Sequence, residues 1–231
     1  MPALEIAVTS ASAAMTAIAR GADRIELCSA LELGGVTPPE AVIDAALEGG
    51  VETHVLVRAR PGDFVYDGDE VAQMEREAAT IASQGAAGVV IGALRPDGRL
   101  DLAAIARIAG AARTARPGVA ITVHRAVDSS ADPVAAIGDL VGAGLGIGRV
   151  LTSGGAAAAG DGIATIAGMI AASDGNLEIM SGGGVTLSSI PGLVAAGVDA
   201  VHMSAKRRLR DHFVLDPQLV AAASALLAAS A

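Results

Sequence analysis

Short apolar segments alternate with longer amphipathic segments along the whole chain. The short segments have the length and β-branched content of buried strands, and the longer ones repeat apolar residues at helical spacing. The predicted strands are residues 4–8, 24–28, 53–58, 88–92, 120–124, 149–153, 177–181 and 200–204. The predicted helices lie near 11–20, 38–48, 69–84, 101–115, 132–142, 160–173, 186–195 and 216–228.

This alternation of strand and helix predicts parallel strands joined by right-handed crossovers. Eight such units in 231 residues fit a single closed (β/α)8 barrel of the TIM type, with parallel strands ringed by helices. An open doubly wound sheet is the alternative, but no G-x-G-x-x-G follows the first predicted strand. Because no linker or change of composition divides the chain, we expect one domain over residues 1–231.

The polar residues of the predicted strands keep to one face. In the second strand, Arg24, Glu26 and Cys28 alternate with Ile25 and Leu27. Since successive side chains of a strand point to opposite faces, the polar set would look into the barrel. The same phase groups Glu5 and Thr9, His54 and Arg58, Thr122 and His124, Glu178 and Met180, and His202 and Ser204. We therefore expect an unusually polar barrel interior.

Position along each strand separates structural from functional candidates. Arg24, His54 and Glu178 lie at the amino ends, where buried charges that pair with one another are the simpler interpretation. Active sites of TIM barrels lie at the carboxyl ends of the strands. The candidates at those ends are Cys28, Arg58, His124, Ser153 and Ser204, with Glu26 and His202 at intermediate depth.

Two loops add charged groups at the carboxyl ends. "VRARPGDF", residues 57–64, carries Arg58 and Arg60, which could hold a carboxylate or phosphate in two-pronged fashion. A salt bridge within the loop is the alternative. "HRAVD", residues 124–128, offers His124 as a general base or metal ligand, beside Arg125 and Asp128. A capping and salt-bridge cluster is the alternative here.

Glycine-rich segments follow the sixth and seventh predicted strands. They read "LTSGG", residues 151–155, and "MSGGGV", residues 180–185. Exposed backbone amides in such turns could hold a phosphate, which makes Ser153, Gly154, Gly183 and Gly184 candidate contacts. Glycine-rich turns are common, so this signal is weak by itself.

Composition narrows the class of protein. Hydrophobic residues make up 52% of the chain and aromatic residues only 1%, which predicts an aliphatic core. The net charge of −9 argues against non-specific nucleic-acid binding. The single Cys excludes an internal disulfide, and neither a signal-peptide pattern nor an apolar run of membrane-spanning length is present. We expect a cytoplasmic protein that binds neither nucleic acid nor membranes.

Six blocks of the sequence occur in the order found in a known family. "GADRIELCSALELGGVTP", "VRARPGDF", "TVHRAVD", "RVLTSG", "MSGGGV" and "VHMSA" together resemble the CutC proteins, up to about residue 205. The resemblance implies a single-domain TIM-type barrel, a cytoplasmic location, a homo-oligomer (dimer or tetramer), and a part in copper homeostasis. Ala59, Val123 and Met203 depart from the usual family pattern without putting membership in doubt.

The resemblance and the residues lead to two functional hypotheses. In the first, the chain binds copper(I), with Cys28 as the ligand that the family suggests and Met180 and His124 as further soft or borderline donors. No C-x-x-C, Met-rich run or H-x-H accompanies Cys28.

In the second hypothesis the chain is an enzyme of unidentified reaction, acting on a small phosphate- or carboxylate-bearing substrate. Glu26 or His124 would then move a proton. The remaining candidates would bind the substrate, and they are Arg58, Arg60, Arg125, Asp128, Ser153, Gly154, Gly183, Gly184, His202 and Ser204. The sequence leaves open whether the chain is an enzyme.

Overall fold

The computed structural model describes residues 1–230, and its centre is a closed barrel of eight parallel strands in chain order. The strands are β1 (Ala3–Val8), β2 (Arg24–Leu27), β3 (Thr53–Leu56), β4 (Gly88–Ile91), β5 (Ala120–Val123), β6 (Arg149–Thr152), β7 (Glu178–Ser181) and β8 (Ala200–Met203). Strand β1 pairs with both β2 and β8, which closes the sheet. The predicted TIM-type barrel is confirmed, and the open-sheet alternative is excluded.

Within residues 1–230, eight α-helices surround the barrel. They are α1 (Ala11–Ala19), α2 (Glu40–Glu48), α3 (Gly68–Gln84), α4 (Leu102–Ala115), α5 (Pro133–Ala143), α6 (Ile163–Ser173), α7 (Ile190–Ala195) and α8 (Pro217–Ala229). Helix α7 begins later than its predicted start at residue 186, because residues 187–189 form a turn in which the Ser189 hydroxyl accepts from the Thr186 N–H.

Side-chain caps fix several helix starts. Asp67 forms a capping box with Glu70 at the start of α3. Asp132 accepts from two backbone N–H groups at the start of α5, as Asp216 does at the start of α8. These caps satisfy amides that have no partner within the helix and favour the observed boundaries.

Aliphatic side chains fill the layer between the barrel and its helices. Ile25 and Leu27 of β2 are fully buried in this layer. Cys28, which follows β2 on the opposite phase, packs inside the barrel against Leu56 and Val90. The alternation predicted for β2 therefore agrees with the structure.

Two glycines of the fourth strand region make room inside the barrel for imidazole rings. A Cβ on Gly88 would lie 2.6 Å from the ring of His54, and a Cβ on Gly92 would lie 2.5 Å from the ring of His124. Real Cβ atoms do not approach other atoms so closely. Glycine at these positions thus lets His54 and His124 point inward.

A hairpin absent from the predicted pattern follows β8. Its strands are β9 (Lys206–Leu209) and β10 (His212–Leu215), which pair antiparallel and stand apart from the barrel sheet. Phe213 is 54% exposed, and Lys206 lies over its ring at 4.8 Å. The hairpin places a basic segment beside the carboxyl ends of the barrel strands.

Among residues 1–230, no helix combines the length and the apolar character that crossing a bilayer requires.

Candidate functional site

A cavity of about 430 Å³ opens at the carboxyl ends of the barrel strands. Its polar lining residues are Glu26, Arg58, His124, Arg125, Asp128, Ser129, His202, Ser204 and Lys206. Gly183 and Gly184 also line it, together with Phe64 and several aliphatic residues. The structure thus brings most of the predicted site residues to one cavity, from β2, β8 and the segments that follow β3, β5, β7 and β8.

A buried ion-paired group adjoins this cavity and contributes His202 to its lining. Nε of Arg24 lies 2.5 Å from Oε2 of Glu5, and Nδ1 of His202 lies 2.7 Å from Oε1. Burial alone would raise the pKa of Glu5, but the hydrogen bond from His202 and the charges of His202 and Arg24 outweigh it and hold that pKa well below its usual range. The same contacts with Glu5, together with the charge of Glu26, raise the pKa of His202 against the opposing effect of burial.

Glu26 lies beside this group but makes no comparable pair. Its side chain is buried, and Oε2 has no hydrogen-bond partner among residues 1–230. Burial raises the pKa of Glu26 to about 7, with His202 opposing the rise and Glu5 adding to it. Buried carboxyl groups are normally hydrogen-bonded, so an unpaired one that lines a cavity is available to a ligand.

Glu5, Glu26 and His202 together could hold a metal ion. One potential ligand atom from each residue lies within 4.8 Å of the other two, and all three side chains are buried. Carboxylate and imidazole ligands suit divalent ions of hard or intermediate character more than copper(I). The inward phase of these three residues on β1, β2 and β8 is visible in the sequence, but the sequence does not show that their side chains meet.

His124 is held as a neutral imidazole. Its Nδ1 accepts a hydrogen bond from the Ala126 N–H at 3.1 Å, which leaves the proton on Nε2. Burial and the charge of Arg58 lower the pKa of His124 to about 3, and the ring centroid of Phe64 lies 5.0 Å away. Nε2 is buried and has no partner among the described residues. At neutral pH His124 is therefore a hydrogen-bond donor, and it is a poor candidate for the general base predicted from the sequence.

The two arginines of the 57–64 loop do not form the predicted clamp. Arg58 lines the cavity, but its guanidinium donates to the carbonyls of Gly35 at 2.9 Å and Gly62 at 2.6 Å and lies over the Phe64 ring at 4.7 Å. Arg60 points away from the cavity, where it pairs with Glu70 at 2.5 Å and with Asp63 at 3.0 Å. The pair with Asp63 is the salt bridge predicted as the alternative for this loop, whereas the closer pair with Glu70 of α3 was not predicted.

Asp128 is the centre of a hydrogen-bonded cluster at the carboxyl ends of β5 and β6. Its carboxylate accepts from the Thr152 hydroxyl and from the Ser153 and Gly155 N–H groups, and it pairs with Nε of Arg125 at 2.8 Å. These contacts engage both carboxylate oxygens, so Asp128 organises the loop, although it also lines the cavity.

Ser153 and Gly154 belong to the same cluster and do not line the cavity. The Ser153 hydroxyl lies 2.9 Å from both Asp128 and Arg125 and 2.7 Å from the Ala156 carbonyl. The Gly154 N–H donates to the Thr152 hydroxyl at 2.8 Å. These two predicted substrate contacts are therefore used within the protein.

The loop after β7 and the residues after β8 form the remaining wall. Gly183 and Gly184 have φ angles of +92° and +62°, which favour glycine. Ser204 and Lys206 line the cavity from the neighbouring strand end. Lys206 was not among the predicted site residues, although it is the only lysine of the sequence and lies two residues after the eighth predicted strand.

Cys28 does not have the surroundings of a copper(I) ligand. Its side chain is fully buried, and its Sγ lies 3.8 Å from the Val8 carbonyl oxygen. Burial, with smaller effects from Glu26 and Glu32, raises the pKa of the thiol, whereas metal binding requires the thiolate. Met180, the second soft donor considered, contacts Nη2 of Arg24 at 3.4 Å through its sulfur. The residues around Cys28 thus fit packing better than copper(I) coordination.

Comparison with known proteins identifies relatives across most of the chain. The CutC family profile matches residues 2–207. A family protein CutC from Sinorhizobium medicae is 41% identical over 183 residues, covering 79% of this chain and 72% of the relative. A family protein CutC from Xanthomonas campestris pv. campestris is 40% identical over 205 residues, covering 88% of this chain and 83% of the relative.

A solved structure agrees with the sequence matches. The protein from Streptococcus agalactiae, named a copper homeostasis protein CutC, is 28% identical with a TM-score of 0.76, covering 88% of this chain and 99% of that one. By the match of its sequence to the family profile, the identity to its relatives and the agreement in fold, the chain belongs to the CutC family.

Proposed function

We propose that this protein is an enzyme that binds a small anionic substrate in the barrel cavity and moves a proton to or from it through Glu26. One observation carries the proposal. Glu26 is a buried carboxyl group without a hydrogen-bond partner among residues 1–230, and it lines a cavity at the catalytic face of a TIM barrel.

The neighbours of Glu26 explain why it has no hydrogen-bond partner in the described part of the chain. Arg24 and His202 are both engaged by Glu5, so the positive charges that could neutralise Glu26 are already compensated. A carboxyl group whose pKa is raised to about 7 exchanges protons efficiently near neutral pH, in either direction. Two carboxyl groups in different environments thus have separate tasks, since Glu5 stays ionised and Glu26 titrates.

His124 supplies a complementary group for the same reaction. As a neutral imidazole with the proton on Nε2, it can donate a hydrogen bond to an oxygen on which negative charge develops. Proton removal from a carbon next to a carbonyl group produces such an oxygen. Glu26 as base and His124 as donor therefore favour reactions that pass through an enolate-like species.

Hydrogen–deuterium exchange tests this proposal without requiring knowledge of the product. The protein is incubated in D₂O with a panel of small keto and hydroxy acids and sugar phosphates, and loss of C–H signals is followed by proton NMR. We expect exchange in at least one compound, and a loss of at least about 100-fold in Glu26→Gln. Glu178→Gln is the matched control, because Glu178 is half-exposed at the opposite end of the barrel. Exchange that persists in Glu26→Gln, or no exchange by the wild type with any compound, would overturn the proposal.

Copper handling is the second candidate function. The name of the Streptococcus agalactiae relative supports it, and so does the group formed by Glu5, Glu26 and His202. These ligands favour copper(II) or another divalent ion, whereas copper(I) binding would rest on Cys28. We expect Cys28→Ala to compete for copper(I) against a chromogenic chelator as the wild type does, under anaerobic conditions. Tight binding of one copper(I) that Cys28→Ala abolishes would instead make Cys28 a ligand.

We further propose a cytoplasmic location and a homo-oligomer, dimer or tetramer, on the family relationship. Cell fractionation and sedimentation equilibrium test these two points separately.

A further inference from the structure

We propose that the anionic group of the substrate is the phosphate of a phosphate monoester, an inference that deepens the proposed function and rests on it. We assign its binding site to the Arg125 guanidinium and the backbone amides of Gly183 and Gly184, with Lys206 closing the site from the hairpin.

Arg125 is held in place while part of its guanidinium remains free. Its Nε donates to Asp128 at 2.8 Å, and its Nη2 donates to the Ser153 hydroxyl at 2.9 Å. No hydrogen bond to residues 1–230 engages Nη1, and the side chain is 40% exposed on the cavity. An arginine fixed through two nitrogens presents its third to a ligand with little further loss of side-chain entropy.

The glycine turn lies directly against this guanidinium. A Cβ on residue 183 would lie 2.6 Å from Cζ of Arg125 and 2.8 Å from its Nη1. The Gly183 and Gly184 N–H groups donate no hydrogen bond to another described residue, although the Gly183 carbonyl accepts from Ala159 at 2.8 Å. Successive free amides in glycine turns form concave anion sites. Glycine at 183 therefore allows Arg125 and these amides to share one surface of the cavity.

Lys206 adds a second cation to the lining of the same cavity, and its Nζ lies 4.8 Å from the centroid of the Phe213 ring. It is exposed at the start of β9 and lines the cavity beside Ser204. The negative charge of Asp128 opposes anion binding in this cavity. Its oxygens, however, already accept hydrogen bonds from Thr152, Ser153 and Gly155 as well as from Arg125.

The charge of the donors favours phosphate over carboxylate. Arg125 and Lys206 supply two positive charges, which match a phosphate monoester close to −2 at neutral pH better than a carboxylate of −1. The three terminal oxygens of the phosphate can also accept from the arginine and the backbone amides together. The rest of the substrate would then extend toward Glu26 and His124, which line the same cavity.

Calorimetric titration with inorganic phosphate, glycerol phosphate and acetate tests this assignment on the wild type and on variants. We expect both phosphate compounds to bind, the ester more tightly, and acetate to bind at least about 10-fold more weakly. We expect Arg125→Gln to weaken phosphate binding at least about 10-fold, while the control Arg60→Gln leaves it unchanged because Arg60 is paired outside the cavity.

Because Arg125→Gln also removes contacts to Asp128, the exposed Lys206→Met serves as a second variant, expected to weaken phosphate binding without loss of the fold. Equal binding of acetate and phosphate, or unchanged phosphate affinity in Arg125→Gln and Lys206→Met, would overturn the assignment. Free phosphate binding more tightly than the ester would overturn the monoester as ligand.

The two proposals fail in different ways. Phosphate binding that depends on Arg125, with Glu26→Gln unimpaired in deuterium exchange, would refute only the role of Glu26. Deuterium exchange confined to carboxylates, with no phosphate binding, would refute only this phosphate site.

Discussion

His202 Nδ1 lies 2.7 Å from Oε1 of Glu5, inside a barrel in which the neighbouring carboxyl group of Glu26 has no hydrogen-bond partner among residues 1–230. Glu5 also forms an ion pair with Arg24, so one carboxylate pairs with both cationic side chains inside the barrel. The difference between the two glutamates follows from this sharing. Glu5 is a structural charge, and Glu26 is a group whose protonation can change near neutral pH.

The role of Glu5 predicts a large loss of stability when it is neutralised. Glu5→Gln leaves Arg24 buried without its counter-charge, and we expect the free energy of unfolding to fall by about 3–5 kcal/mol in urea denaturation. The pKa of Glu5 is lowered on folding, so its contribution is present above the unfolded pKa and is lost as pH falls. The loss caused by Glu5→Gln should therefore shrink in acid. A loss below about 1 kcal/mol at neutral pH would contradict the pairing.

We expect neutralising Glu26 to have the opposite effect on stability from neutralising Glu5. Because folding raises the pKa of Glu26 to about 7, burying the carboxylate becomes more costly as pH rises from the unfolded pKa to that value. We expect Glu26→Gln to stabilise the protein by roughly 1–3 kcal/mol at pH 8 and to have little effect near pH 4. Denaturation across this pH range measures the difference. A destabilised Glu26→Gln at pH 8 would mean that the carboxylate is paired in the folded protein.

His124 is expected to remain neutral across the working range of most enzymes. The Ala126 N–H holds its Nδ1, and burial lowers its pKa to about 3. We expect ¹⁵N NMR of histidine-labelled protein to show the Nε2–H tautomer unchanged from pH 8 down to pH 5, with His124→Gln used to assign the signal. An imidazolium signal for His124 at pH 6 would contradict its role as a neutral donor.

The sequence was sufficient to predict the barrel, because segments with strand periodicity alternate regularly with segments of helix periodicity along the whole chain. The inward phase of Arg24, Glu26 and Cys28 was equally visible, since side chains alternate along any strand. The sequence did not show which of the inward-facing side chains pair with one another. Glu5 and His202 lie at opposite ends of the chain and meet only because β1 and β8 close the barrel.

Loop geometry explains most of the remaining differences between the predicted and the observed site. Arg58 and Arg60 are two residues apart, yet only Arg58 reaches the cavity, because the loop turns Arg60 toward the start of α3. The hairpin at 206–215 lacks a strong apolar alternation and is largely exposed, so periodicity did not indicate it. Because Lys206 is the first residue of this hairpin, it was not among the predicted site residues either.

Direct titration of the Glu26 carboxyl group tests the central claim. Protein labelled with ¹³C at the glutamate side-chain carboxyl is followed by NMR from pH 4 to pH 9, and Glu26→Gln identifies the signal. We expect one carboxyl group, absent from Glu26→Gln, to titrate with a midpoint near 7. A midpoint below about 5 would show that Glu26 is an ordinary ionised carboxylate and would contradict its role in proton transfer.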